Sequence, residues 1–402
     1  MIILRGYQKK AVEKGLEFFK YGDKKDVPII VAPTGAGKSI VIAHLAKALG
    51  EDVLVFQPSK ELLEQNYSKF VAHGGEAKIY SASMKSKEVG AVTFATIGSV
   101  DPEVFKHIKY VIIDECHLVP PKCNEYHKKT GELVKYGSMF MQFLGAIPDA
   151  KVLGLTATAF RLKKYRHPFS GKTYSQINLL NRERPKFFNS FLHITQIKEL
   201  YDGGFLCPVK YIELTWREGN LKLNTTGAEF SDESVDYELK QQGIHERLPD
   251  IIQQSIDKGR KHRLVFMKNV SDAEKLAGIV PDSVCIHAGT KPKERERILA
   301  DFKSGKIKTV FNVSVLGIGF DFPELDTVIL ARPTMSLSVY YQFVGRGVRM
   351  AKGKKDCAVL DMCGNIQRFS KIEDLEYVEV DRKWVLRDSK RVLSGVPLMG
   401  RG

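Results

Sequence analysis

Short apolar runs alternate with amphipathic stretches along most of this chain. Val27 to Val31, Val53 to Gln57, Lys78 to Tyr80, Val92 to Ala95, Tyr110 to Ile113 and Val152 to Leu155 are short and mostly apolar, the pattern of buried strands. Between them Ile40 to Leu49, closed by Gly50, and Ser59 to Ala72, opened by a Ser cap with Glu in the first turn, have helical spacing. Such alternation predicts parallel strands joined by helical crossovers, with ligands at the carboxyl ends of the strands. After Thr158 the pattern breaks. Residues 161–186 hold eight Lys/Arg against one acid, with Phe160, Tyr165, Phe169 and Tyr174 in or beside them. A helix returns at Ile194 to Tyr201, and Gly203-Gly204 with Pro208 predicts a hinge.

A second alternating series follows. Its strands are expected at Val209 to Leu214, Leu264 to Met267, Val284 to His287, Thr309 to Val313, Thr327 to Ala331 and Ala358 to Asp361, with helices at Ser271 to Ala277, Lys291 to Lys303 and Ser336 to Met350. The acidic stretch Glu229 to Glu238 reads as a solvated face running into a helix that reaches Lys258. From about residue 376 no period is visible. The fold class is therefore α/β, with two tandem domains at 1–205 and 206–375 and a tail at 376–402. A chain of 402 residues exceeds what one core usually holds, which agrees with that division.

Charge adds a partner. The balance of 62 Lys+Arg against 47 Asp+Glu gives +15, which suits a polyanion bound with counterion release. Six cysteines without a Cys-x-x-Cys pair signal neither a disulfide framework nor a zinc ribbon; the Cys116, His117, Cys123, His127 cluster is not read as a zinc site. Free thiols point to a reducing cytoplasm. No apolar run approaches a membrane span, so a soluble protein without a membrane partner is expected.

The chemistry starts at Ala32-Pro33-Thr34-Gly35-Ala36-Gly37-Lys38-Ser39, between a strand and a helix. Gly35 and Gly37 let the backbone curl so that N–H groups face phosphate oxygens, and the helix end adds partial positive charge. Lys38 can then reach the β- and γ-phosphates of ATP while the Ser39 hydroxyl ligates Mg²⁺. Ala32 stands where the general pattern has its first Gly. Asp114-Glu115 follows the strand Tyr110 to Ile113, which places Asp114 to hold Mg²⁺ and Glu115 to take a proton from an attacking water. Arg346 and Arg349, three apart and expected on one helical face, offer planar forks for phosphoryl oxygens.

With these residues in order, the chain resembles a superfamily 2 helicase of the DECH subclass. Leu4-Arg5-Gly6-Tyr7-Gln8 is similar to the adenine-reading motif, 32–39 to motif I, Pro58 to Leu62 to motif Ia, Thr96 to Ser99 to motif Ib, Asp114 to His117 to motif II and Thr156-Ala157-Thr158 to motif III. In the second half Val265 to Asn269 resembles motif IV, His287 to Thr290 a further backbone-contacting segment, Val315 to Pro323 motif V and Gln342 to Arg349 motif VI. The resemblance implies two RecA-like domains that close on ATP, with lobe closure completing the site. It implies nucleotide contacts from Arg5, Gln8, Thr34, Gly35, Ala36, Gly37, Lys38, Ser39, Gly319, Asp321 and Gln342. Coupling between hydrolysis and strand contact would run through His117, Thr156 and Thr158. Asn312 and Ser314 stand where a Thr is common in motif V.

Within the superfamily, Thr156 to Arg161, Gly204 to Pro208 and Val315 to Pro323 look most like RadD-type DNA-repair ATPases and phage branch-migrating helicases, without the long cysteine-rich extension of the former. The implied activity is a nucleic-acid-dependent ATPase that unwinds or remodels DNA in repair, recombination or replication. An RNA helicase and the motor subunit of a restriction or defence complex are the alternatives. The expected state is a monomer, with DNA favoured over RNA and repair or replication proteins as further partners. The basic insertion at 161–186 is expected to touch nucleic acid.

Overall fold

The computed structural model describes residues 3–120, 125–126, 133–135, 138–166, 171, 173–184, 186–315 and 321–398. They fall into two compact units, Met1–Arg161 with Asn178–Gln196, and Leu162–Ile177 with Ile197–Gly402.

Continuous apolar runs need cover on both faces, and the first unit supplies it. Its eight-stranded sheet runs in the order Ser190–Ile194, Pro28–Val31, Lys151–Thr156, Tyr110–Ile113, Val53–Gln57, Val92–Thr96, Lys78–Ser81 and Ser86–Lys87. Every pairing is parallel except that of the short last strand. Ile29, Ile30, Val53 to Phe56 and Val111 to Ile113 are buried, and Gly6–Tyr21 and Lys38–Leu49 pack their apolar sides on them. Ser59 caps Lys60–Ala72 by accepting from the Leu62 amide, as its position predicts.

The second unit repeats the plan with six parallel strands, in the order Val209–Glu213, Cys357–Asp361, Thr327–Leu330, Arg263–Phe266, Thr309–Asn312 and Ser283–Ile286. The acidic stretch is a solvated face only in part: Asp232, Glu233 and Asp236 are exposed, but Glu229 and Glu238 turn inward. Glu229 accepts from the Thr334 hydroxyl and the Met335 amide, both at 2.6 Å. Glu238 is buried and accepts from the Asn220 amide at 2.6 Å, so both carboxylates tie down the segment ahead of the Ile244–Asp257 helix. The tail is structured as well. Glu376–Val380 and Lys383–Arg387 form an antiparallel hairpin, with Leu386 and Leu393 buried.

The basic insertion is a two-stranded hairpin, Phe160–Arg166 with Thr173–Leu179. The Tyr165 and Tyr174 rings stack at 5.8 Å, and Lys164 donates to the Thr225 carbonyl at 2.7 Å. The Gly395 and Leu398 amides donate to Ile177 and Ser175 on its second strand. Phe169 lies outside the described residues, as do Cys123 and His127 of the cysteine and histidine cluster. Cys116, Cys207, Cys285, Cys357 and Cys363 are free thiols. Among the described residues no helix is long and apolar enough to cross a membrane.

Candidate active site

The strand Pro28–Val31 ends in Ala32, whose amide donates to the Thr156 carbonyl at 2.9 Å, stitching motif I to motif III. Of residues 32–39 only Gly35 and Gly37 have positive φ, at 84° and 77°. Ala32 therefore stands in place of a glycine without strain. Gly37 opens the Lys38–Leu49 helix in the left-handed region, so Lys38 and Ser39 lie in its first turn, where unpaired amides and the helix dipole favour anions. Thr34 and Gly35 are half-buried and Ala36 is buried.

Gln8 does more than its motif suggests. Its side-chain oxygen accepts from the Arg5 amide at 3.0 Å, and its nitrogen donates to the Ala36 carbonyl at 2.8 Å. The buried amide thus clamps the loop from the side, and a Cβ on Gly37 would come within 2.5 Å of that nitrogen. One N–H and one lone pair remain for a base edge. Arg5 caps the first helix, its guanidinium donating to the Tyr7 hydroxyl at 3.2 Å.

Asp114 leaves the central strand Tyr110–Ile113 buried, and the backbone then turns sharply. Glu115 has φ 47° and ψ 47°, a left-handed conformation that costs a non-glycine residue about 1–3 kcal/mol and is retained at functional sites. The Lys38 ammonium is 2.6 Å from Asp114 Oδ1 and is also ion-paired to Glu115. The Glu115 amide donates to Asp114 Oδ1 at 2.8 Å, and Asn66 Nδ2 donates to Asp114 Oδ2 at 2.8 Å. Burial raises the Asp114 carboxyl above the ordinary range. Burial works on Glu115 in the same direction, but Lys38 and His117 overcome it and hold that carboxyl well below the usual range. Burial would lower Lys38; the two carboxylates reverse this and raise it.

The coupling residues follow on directly. His117 Nδ1 lies 2.8 Å from Thr156 Oγ1 and 3.4 Å from Glu115 Oε2, and Thr156 Oγ1 accepts from the Thr158 amide at 3.1 Å. Glu115, His117, Thr156 and Thr158 thus form one chain of polar contacts between motifs II and III. Arg161, read from sequence as the first residue of a nucleic-acid-contacting insertion, belongs to this site instead. Its guanidinium donates to the His117 and Val119 carbonyls and pairs with Glu183 at 2.6 Å. The motif II turn is held from behind by that fork.

In the second unit, Asp321 and Arg349 form an ion pair, Arg346 is buried, and Gln342 is half-buried on the helix Leu337–Gly345. Gly319 lies outside the described residues. The expectation of one helical face for Arg346 and Arg349 is corrected: the helix stops at Gly345, with Arg346 as its cap and Arg349 in the following loop. The Arg346 and Gly347 amides bond back three residues, to the Phe343 and Val344 carbonyls, which tightens and ends the last turn, and Gly347 then passes where a Cβ would meet Cys357 Sγ at 2.3 Å. Lys354 then closes the turn. Its ammonium donates to the carbonyls of Gly347 (2.6 Å), Arg349 (3.0 Å) and Pro323 (3.0 Å), tying motif VI to the end of motif V.

Asn66, Arg161 and Lys354 were not assigned from sequence. Asn66 alone left a signal, as a polar residue on the buried side of an amphipathic helix.

Residues 1–161 match the family "Type III restriction enzyme, res subunit", and residues 245–351 match "Helicase conserved C-terminal domain". The chain belongs to the superfamily 2 helicases. Among relatives of this helicase chain, IRC3 of Saccharomyces cerevisiae is 22% identical, covering 90% of the chain and 52% of its own length. The "General transcription and DNA repair factor IIH helicase/translocase subunit XPB" of Danio rerio is 25% identical, covering 87% and 43%. The chain spans about half the length of the curated relatives it matches. The solved structure of the type ISP restriction-modification enzyme LlaBIII bound to DNA superposes with a TM-score of 0.63 at 15% identity, covering 90% of this chain and 28% of that one. That likeness is one of fold.

Proposed function

We propose that this chain is a nucleic-acid-dependent ATPase that drives translocation or unwinding, with DNA favoured over RNA and branched DNA as its working substrate. The observation that carries the reading is the ion-paired Lys38, Asp114, Glu115 cluster at the mouth of a glycine-bent loop, linked through His117 to Thr156 and Thr158. A cation beside helix-end amides grips phosphate, and a carboxylate beside it activates water.

The Ser39 hydroxyl and the Asp114 carboxylate are hard oxygen donors, the class Mg²⁺ takes when phosphates and waters complete its shell, so these residues fit the ion. When bound, the ion supplies neutralisation of phosphate charge. Lys38 serves the β- and γ-phosphates. As its ammonium turns to them, Glu115 loses the partner that depresses its proton affinity and becomes the stronger base. Arg346 and Arg349 neutralise charge on the transferring phosphoryl group. The names of the relatives, helicase/translocase and a DNA-bound restriction enzyme, support DNA as the track.

A second reading, a motor chain within a restriction or defence assembly, draws support from the family matched by residues 1–161. The test is a panel of ATPase and unwinding assays with single-stranded DNA, forks, Holliday junctions, R-loops and RNA duplexes. Stimulation greatest with branched DNA supports the first reading. Stimulation by RNA alone sinks it, and activity that requires a co-purifying chain favours the second.

A further inference from the structure

The motifs of the second unit that are expected to meet nucleic acid follow the carboxyl ends of its strands: Lys268 and Asn269 after Arg263–Phe266, and Val313 onward after Thr309–Asn312. The opposite edge of the same sheet carries a feature they do not use. A concave trough of about 760 Å³ lies there, lined by residues 258–262, 324, 326 and 352–356 together with Lys210 and Ile212. Seven of its lining residues are Lys or Arg and three are acids.

The acids are mostly absorbed into the walls. Asp356 is paired with Lys210 at 2.7 Å and with Arg260 at 2.5 Å. Asp326 accepts from the backbone amides of Lys261 and His262, at 2.7 and 3.2 Å. Lys354 is spent on three carbonyls. That leaves Lys258, Lys261, Lys352 and Lys355 exposed, with no ion pair or side-chain hydrogen bond to the described residues, against the single rim carboxylate of Glu324. A net positive concavity with prepaid walls selects an anion.

Its shape says which kind. The trough runs along the entries of four neighbouring strands, Val209–Glu213, Cys357–Asp361, Thr327–Leu330 and Arg263–Phe266. Three inter-strand spacings span roughly 14 Å, the length of about four base-pair rises along the axis of a B-form duplex at about 3.4 Å each. The one ring in the lining, His262, is packed perpendicular to Phe302 and Phe322, at 5.5 and 4.8 Å, and the lining holds no Phe, Tyr or Trp on which unpaired bases could stack. The site is equipped to hold backbone phosphates and not to read bases.

We infer that this trough is a second nucleic-acid site, one that grips the phosphate backbone of a duplex arm while the motif-bearing edge engages the single strand. The inference rests on the proposed function and adds to it a structural basis for choosing branched over plain substrates.

The test uses the full-length chain with Lys258→Ala, Lys261→Ala, Lys352→Ala and Lys355→Ala combined; none of the four has a role in the ATP site. Binding of a short single strand and of a forked duplex is measured by fluorescence anisotropy across a salt series, alongside ATPase stimulated by the single strand. The expected result is fork affinity weakened about tenfold or more. The fork's log–log salt slope should fall by about 2–4, since each neutralised phosphate contributes about 0.9. Single-strand binding and its ATPase stimulation stay within about twofold of wild type. Unchanged fork affinity and slope overturn the inference and leave the trough to an acidic protein partner. A parallel loss for fork and single strand also overturns it, because the trough would then not be separate. A wild-type protein that bound neither DNA would remove the functional reading itself, and the trough with it.

Discussion

Asn66 Nδ2 donates to Asp114 Oδ2 at 2.8 Å and to Gln57 Oε1 at 2.8 Å, so one side-chain amide joins the carboxylate of motif II to the end of a neighbouring strand. Asp114 is already raised by burial. A donor to the ionised carboxylate favours ionisation, and losing it moves the carboxyl further up. In Asn66→Ala the half-saturating Mg²⁺ concentration is expected to rise, with turnover falling about 10- to 100-fold at limiting metal, the usual cost of losing a group that orients a ligand. The acid limb of the pH–rate profile should move to higher pH, since activity is lost as pH falls through the Asp114 carboxyl. A profile and Mg²⁺ dependence matching wild type would show that Asn66 only packs.

The ion pairs of Lys38 set up a contrast between two variants. Lys38→Ala removes the phosphate grip and leaves the Asp114 and Glu115 carboxylates without the cation they share, so both ATP binding and thermal stability should fall. Glu115→Gln keeps the shape without the basicity; ATP binding should persist while hydrolysis drops by at least about 10², the lower range for general base catalysis. Equilibrium binding of a fluorescent nucleotide and single-turnover hydrolysis separate the two. Wild-type turnover in Glu115→Gln would move the base elsewhere.

Much of this was legible from the chain, and the exceptions share a cause. Tyr110–Ile113 and Val53–Gln57 coincide with the apolar runs that predict them, because a strand buried on both faces writes itself as continuous apolar sequence. The 376–387 hairpin was missed because its turn is made by Asp381 and Arg382 at φ 48° and 58°, without the glycine or asparagine that usually announces one. The helix carrying Gln342 ends at Gly345, short of the predicted Met350, where the chain passes too close to Cys357 for any Cβ at Gly347, a tertiary constraint that no local pattern encodes. The same holds in the site. Lys38, Asp114 and Glu115 announce themselves through short motifs, whereas Asn66 and Arg161 act on partners 48 and 44 residues away in sequence.

Arg161 gives a prediction that separates it from the basic hairpin it precedes. If its fork holds the motif II turn, Arg161→Ala should lower basal ATPase and leave the salt dependence of DNA binding unchanged. Neutralising Lys163, Lys164 and Arg166 should do the reverse, weakening DNA binding and flattening its salt slope. Because Lys164 also donates to the Thr225 carbonyl, Lys164→Met is the cleaner probe of that position, keeping the stem that packs against Gly227. Equal salt slopes in wild type and the triple variant would reduce the hairpin to a structural element.

The last prediction concerns how Arg349 is held. Its carbonyl, with those of Gly347 and Pro323, receives the Lys354 ammonium, while its guanidinium is paired with Asp321. Hydrogen bonds to a charged group are worth about 1.5–3 kcal/mol each, and the cost of burying the ammonium offsets part of the three, so Lys354→Met, which keeps the aliphatic stem, should destabilise the protein by about 3 kcal/mol and lower its Tm by several degrees. Arg349→Ala should leave stability and ATP affinity nearly unchanged while the DNA-stimulated rate collapses, on the order of 10³ for a charge supplied to the transferring phosphoryl group. Arg346→Ala should lose rate in the same way. Lys354→Met should also lose rate, but only through a displaced Arg349, which makes it a positioning residue. That distinction is readable in the double variant: once Arg349 is alanine, removing Lys354 has nothing left to displace, so Tm should fall further while kcat should not. Multiplicative losses of kcat in the double variant would give Lys354 a part in turnover independent of Arg349, and the positioning account would have to be dropped.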